Sequence, residues 1–221
     1  MIRTRTFRNA TLASAAFALV SAPAFAHHPL AGQPMETFAH GLLSGIGHPL
    51  LGFDHLFFVL AMGVAALFTG MPRSAPLAYI AAMMAGVGIA AAGIALPIVE
   101  PVIVLSLLVV GGVLLSGKAL KFQTAVLLFA GAGLFHGAAF GGAIAAQESA
   151  SAQVLVGYLL GLAALQWAMA VGAGMAAQKL WGAAEATNIQ SRLAGAAVAG
   201  VGAFLALETI EGVAFSALGI G

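Results

Sequence analysis

A chain of 221 residues that is 62% hydrophobic and only 7% charged, with a mean hydropathy of +1.05, cannot assemble a water-facing surface, because soluble domains carry about 25% charged residues. The lack of any cysteine excludes disulfides, thiolate metal sites and thiol catalysis. A formal net charge of +1 without a basic patch points to no nucleic acid. What remains is an all-α, polytopic membrane helix bundle.

In chain order, the first segment reads as a signal peptide over residues 1–26. Arg3, Arg5 and Arg8 form a basic start, Ala10 to Val20 supply a short apolar core, and Ala24-Phe25-Ala26 fits the small-x-small cleavage rule. The alternative, an uncleaved first helix, is opposed by an apolar run too short to span. Cleavage puts His27 and His28 at the mature N-terminus, where a free amine and two imidazoles can chelate an ion.

Residues 27–221 read as one six-span transmembrane domain. Six apolar stretches follow, at 50–70, 76–96, 101–116, 123–146, 154–176 and 193–215, each near the ~20 residues that cross a bilayer. The breaks between them are too short for a further domain. If the mature N-terminus lies outside, alternate breaks face inward and hold Arg73, Lys118, Lys121, Lys179 and Arg192, while the outer breaks hold Glu100 and Glu148. Every mature Lys and Arg is then cytoplasmic, as the positive-inside rule requires. The expected location is the bacterial inner membrane, with both mature termini periplasmic. Six spans could also form two inverted three-helix halves, with spans one and four equivalent. The 29 glycines, in patterns such as Gly157-x-x-x-Gly161, suit close helix packing and need no functional reading.

Ionisable side chains inside an apolar bundle are costly and mark function. The densest group is His48-Pro49-Leu50-Leu51-Gly52-Phe53-Asp54-His55, with His40 upstream; His136 lies in the fourth stretch, Gln166 in the fifth, and Glu208 and Glu211 in the sixth. By position, these groups fall into one outer-to-middle layer. On a straight helix His48 and His55 stand ~10 Å apart. Pro49 suits the first turn of a helix. A bend before it, tolerated where backbone lines a cavity, would bring His48 or His40 toward Asp54 and His55. Imidazole with carboxylate suits Ni²⁺, Co²⁺ or Zn²⁺. The expected ligands are therefore His48, Asp54, His55 and His136, with His40, Glu208, Glu211, His27 and His28 as weaker candidates.

The segment His48 to His55 follows an H-P-x-x-G-x-D-H pattern, and Phe135-His136-Gly137 a second motif. On these residues, with the signal peptide and six-span length, the chain resembles the HupE/UreJ family of nickel and cobalt permeases. Many members of that family continue the second motif as H-G-x-A-H-G, whereas Phe140 stands here at the second histidine. The resemblance implies a secondary permease for nickel or cobalt, whose partners are the ion and membrane lipids, with a homo-oligomer left open. It implies no resident cofactor and no enzymatic activity.

Two other classes compete. An intramembrane zinc-dependent hydrolase would use the His/Asp cluster to activate water. A haem carrier would use His55 and His136 as axial ligands. Nothing in the chain resembles a phosphate-binding loop for ATP coupling.

Overall fold

The computed structural model describes residues 34–145 and 151–219. Among them are seven helices and no strand: α1 (Phe38–Leu51), α2 (Phe53–Leu67), α3 (Ala75–Ala91), α4 (Val99–Ser116), α5 (Phe122–Ala145), α6 (Ala152–Trp181) and α7 (Ile189–Leu218). Four of them, α4, α5 over Phe122–Gly142, α6 and α7, are long and apolar enough to cross a bilayer. Helices α1 and α2 qualify only together, as one span bent by 83°. Helix α3 is apolar but has 17 residues, ~26 Å of rise. The protein is a polytopic helical membrane protein. The expected signal peptide, His27 and His28 lie outside the described residues, as does Glu148.

The first span departs from the sequence reading. Pro49 does not open a helix; it sits in the last turn of α1, which starts at Phe38. Thr37 caps that start by accepting the His40 backbone N–H at 3.1 Å. Packing explains the earlier start. A Cβ at Gly41 or Gly45 would strike the carbonyls of Val154 or Tyr158 in α6, and one at Gly157 or Gly161 those of Phe38 or Leu42 in α1. The bend itself falls at Gly52, whose extended backbone (φ −90°, ψ 100°) separates the two helices. A side chain there would press on the His55 ring and the Asp54 carboxylate. The second span is also shorter than 76–96, because Gly93 turns the chain with a positive φ of 78° ahead of Pro97.

Lateral packing is dominated by three pairings: α3 on α5, the α1–α2 pair on α6, and α4 on α7. Numbering the α1–α2 pair as unit one and α3 to α7 as units two to six, these are two on four, one on five and three on six. Exchanging the halves of the chain turns the first pairing into the second and leaves the third unchanged. At the third, a Cβ on Gly111 would approach the carbonyl of Gly195, and one on Gly195 that of Gly111. The pairings are therefore symmetric under exchange of the two three-unit halves of the chain.

The basic residues gather where the connections 68–74, 117–121 and 182–188 lie. Arg73 borders the same hollow as Gln178 near the end of α6, and Arg192 donates to the carbonyl of Leu115 at 2.9 Å.

On α5, Gly137 faces the Met83 carbonyl while Gly131 faces open space. Gly137→Val is expected to destabilise the bundle by at least ~1–3 kcal/mol through overpacking, and Gly131→Val hardly at all. Thermal unfolding in detergent compares them, and equal melting temperatures would refute the close-packing account.

Candidate metal site

The bend at Gly52 sets Asp54 and His55 in the first turn of α2, where a carboxylate complements the helix N-terminus. Asp54 Oδ1 accepts the His55 backbone N–H at 2.8 Å. That bond anchors the carboxylate beside the imidazole, with Asp54 Oδ2 3.9 Å from His55 Nε2. The other nitrogen of His55 meets α5. His55 Nδ1 and His136 Nδ1 stand 2.8 Å apart, with ring centroids 4.8 Å apart and planes at 65°. His136 is fully buried and His55 nearly so.

Each ring is held on its other sides. His136 Nε2 lies 3.0 Å from Ser106 Oγ of α4, and Ser106 itself donates to the Ile103 carbonyl at 2.6 Å. The Phe58 ring packs on His136 at 4.6 Å and the Phe140 ring on His55 at 4.2 Å. Phe140 also meets His48, edge-on with ring centroids 5.3 Å apart. His48 Nδ1 is 3.0 Å from the Tyr158 hydroxyl, which donates to the Phe140 carbonyl at 3.0 Å. On another side of His136, Tyr79 comes within 5.7 Å and donates to Gln166 Oε1 at 2.8 Å. The Gln166 amide is turned to Met83 Sδ.

Of the residues singled out from sequence, His55 and His136 are in direct contact and Asp54 adjoins them. His48 packs edge-on against Phe140, the residue that stands at the second histidine of the H-G-x-A-H-G pattern. His40 is half-buried, its Nδ1 accepting the Glu36 backbone N–H at 3.3 Å. Glu208 and Glu211 are exposed on α7, beyond its last buried residue, Gly202. Among the described residues, no three His, Asp or Glu side chains converge into a ready metal-holding group. Sequence reasoning missed Ser106, Tyr158 and Tyr79. The available signal was a hydroxyl inside an otherwise apolar span.

The haem reading does not fit this geometry. Axial nitrogens stand apart by about twice the ~2.0 Å metal–nitrogen bond, with a flat ring between them. The two imidazoles here leave no such gap.

The family described as HupE / UreJ protein matches residues 15–205. The chain belongs to the HupE/UreJ family. Protein HupE of Rhizobium leguminosarum bv. viciae is 30% identical over 191 residues, which span 85% of this chain and 93% of that protein. No solved structure matches.

In this family member the Tyr79–Gln166 hydrogen bond ties α3 to α6 beside the imidazoles. Tyr79→Phe leaves Gln166 Oε1 without its donor in a fully buried position, at an expected cost of about 1–3 kcal/mol. The melting temperature of the purified protein should fall accordingly. An unchanged value would show that the bond adds nothing to stability.

Proposed function

We propose that the chain is a secondary permease for a divalent transition-metal ion, nickel or cobalt, acting in the bacterial inner membrane with the ion held between His55 and His136. The observation that carries this reading is the buried Nδ1 to Nδ1 separation of 2.8 Å. Ligand nitrogens ~2.05 Å from an ion and at right angles to one another stand about 2.9 Å apart, whereas tetrahedral ligands stand about 3.3 Å apart. An ion can therefore replace the proton between the rings at almost the same nitrogen separation, provided each ring turns by about 45° so that its lone pair points off the N···N line toward the ion. Right-angle coordination by nitrogen and oxygen suits Ni²⁺ better than Zn²⁺.

When the ion takes that place, the proton on His55 belongs on Nε2, beside Asp54 Oδ2. Asp54 then orients His55, as carboxylates commonly do behind metal-bound imidazoles. Two imidazoles leave the remaining coordination positions to water. Such partial ligation suits a carrier, whose site must release what it binds. Membership of the HupE/UreJ family, whose resemblance implies nickel and cobalt transport, supports the same class.

The basic connections belong on the cytoplasmic side. The imidazoles are then in the periplasmic half, and the inverted halves supply a basis for alternating access by one half rocking on the other. The competing hydrolase would need three protein ligands and an open water position; the described residues offer two imidazoles in contact.

Uptake of radiolabelled Ni²⁺ and Co²⁺ by cells lacking other importers tests the reading. His55→Ala and His136→Ala are expected to lower uptake at least ~10–100-fold, on the scale of lost metal-site interactions. The double change Glu208→Gln, Glu211→Gln should keep it near wild type. Wild-type uptake by either histidine variant, with membrane insertion verified, would refute the assignment. Orientation is checked separately by a C-terminal reporter that is active only in the periplasm, expected here to be active.

A further inference from the structure

Two hydroxyls near the imidazoles share one arrangement. A carbonyl oxygen can only accept, and a hydroxyl has one proton to give. Ser106 gives its proton to the Ile103 carbonyl at 2.6 Å, so toward His136 Nε2, at 3.0 Å, its oxygen accepts. His136 must then carry its proton on Nε2. Its Nδ1 bears a lone pair and, in the protein as it stands, accepts from His55 Nδ1 at 2.8 Å. Tyr158 does the same for another ring. It gives its proton to the Phe140 carbonyl and accepts from His48 Nδ1, each at 3.0 Å, so the lone pair of His48 is on Nε2.

In both cases the hydroxyl comes from a different helix than the imidazole: Ser106 on α4 serves α5, and Tyr158 on α6 serves α1. In both cases a helix carbonyl fixes the hydroxyl's direction. Ser106, His136 and Tyr158 are buried, so water does not compete for these bonds.

We infer that Ser106 and Tyr158 are positioning residues that hold His136 and His48 in single neutral tautomers, with the His136 Nδ1 lone pair aimed at the ion position against His55. The ion-binding part of this inference rests on the permease reading; the tautomer part does not. With Ser106 present, the proton of His136 is already on the nitrogen away from the ion. The one proton between the rings then belongs to His55, which can re-form its N–H on Nε2 beside Asp54 Oδ2 when a cation displaces it. Without Ser106 that proton can sit on His136, whose Nε2 has lost its acceptor. The hydroxyl therefore raises affinity without touching the ion.

The experiment uses the full chain, ¹⁵N-labelled at histidine and reconstituted in lipid nanodiscs. Imidazole nitrogen NMR reads the tautomers before any metal is added, and a Ni²⁺ titration follows on the same samples. In the wild type His136 should show an Nε2–H and His48 an Nδ1–H. Ser106→Ala should mix the His136 tautomers and weaken Ni²⁺ binding about 10–100-fold, the range found when partners behind metal ligands are removed. Its uptake KM should rise with the affinity loss. Ser106→Thr, which keeps the hydroxyl, should restore tautomer and affinity. Tyr158→Phe should mix the His48 tautomers only.

Unchanged tautomers in both Ser106→Ala and Tyr158→Phe would overturn the positioning role even if the wild type binds Ni²⁺ well. Mixed tautomers in Ser106→Ala with wild-type Ni²⁺ affinity would overturn its link to the ion. A wild type that shows the expected tautomers but takes neither Ni²⁺ nor Co²⁺ would instead refute the permease reading, and with it the ion-directed role of Ser106.

Discussion

How closely the α5 backbone can approach α3 governs the geometry around His136. Gly133 and Gly137 lie so near the carbonyls of Tyr79 and Met83 that a single methyl on either would collide. In a bilayer no water-driven collapse presses helices together, so close approach through small residues has to supply the association. His136 is adjacent to one of these contacts and its ring meets α2, α3 and α4. Its bonds to Ser106 and His55, at 3.0 and 2.8 Å, have little slack, since hydrogen bonds of this kind weaken beyond about 3.2 Å. Wider spacing between α3 and α5 would loosen the imidazole pair even though neither glycine touches it.

The same spacing solves a second problem. Imidazole, phenol and amide groups in a hydrocarbon-surrounded core are expensive unless each finds a partner. Around His136 they do: Ser106, Tyr79, Gln166 and Tyr158 all bond across helix boundaries. Among the described residues, the buried side-chain polar atom without a partner is Ser191 Oγ, far along the bundle near the basic connections. The polar groups at the site therefore also act as interhelical ties, and removing one disturbs both packing and chemistry. Measurements of tautomer, melting temperature and ion affinity separate these effects where uptake alone would merge them.

Much of this architecture was legible in the sequence because bilayer physics leaves few options. Low charge and long apolar runs gave the helical membrane class, and the five later stretches agree with α3 to α7 apart from their ends. The H-P-x-x-G-x-D-H segment stood out because ionisable residues are rare in such surroundings, and its Asp54 and His55 adjoin His136 in the fold. The separate helix α1 was not legible. Its existence depends on glycines meeting partners more than a hundred residues away in α6, which local pattern does not encode. The bend was anticipated but placed before Pro49 instead of at Gly52, because proline carries the stronger local signal. Glu208 and Glu211 were conspicuous as charges, yet nothing in a single helix reveals that its C-terminal half is exposed. Ser106 and Tyr158 were inconspicuous for the opposite reason: hydroxyls are common in spans and acquire meaning only from what they face.

The position of Phe140 joins these observations. Its ring contacts both His48 and His55, while its carbonyl receives the proton of the Tyr158 hydroxyl that meets His48. The side chain touches two imidazoles and the carbonyl of the same residue binds the hydroxyl beside one of them. An apolar ring at this point contributes no ligand. A cluster of three or four imidazoles would hold a divalent ion tightly, since each added ligand lowers the ion's free energy in the site. Carriage requires that no single position be so deep that the ion cannot leave. At position 140, in contact with both His48 and His55, the chain places a phenyl ring where an imidazole would have added a further ligand.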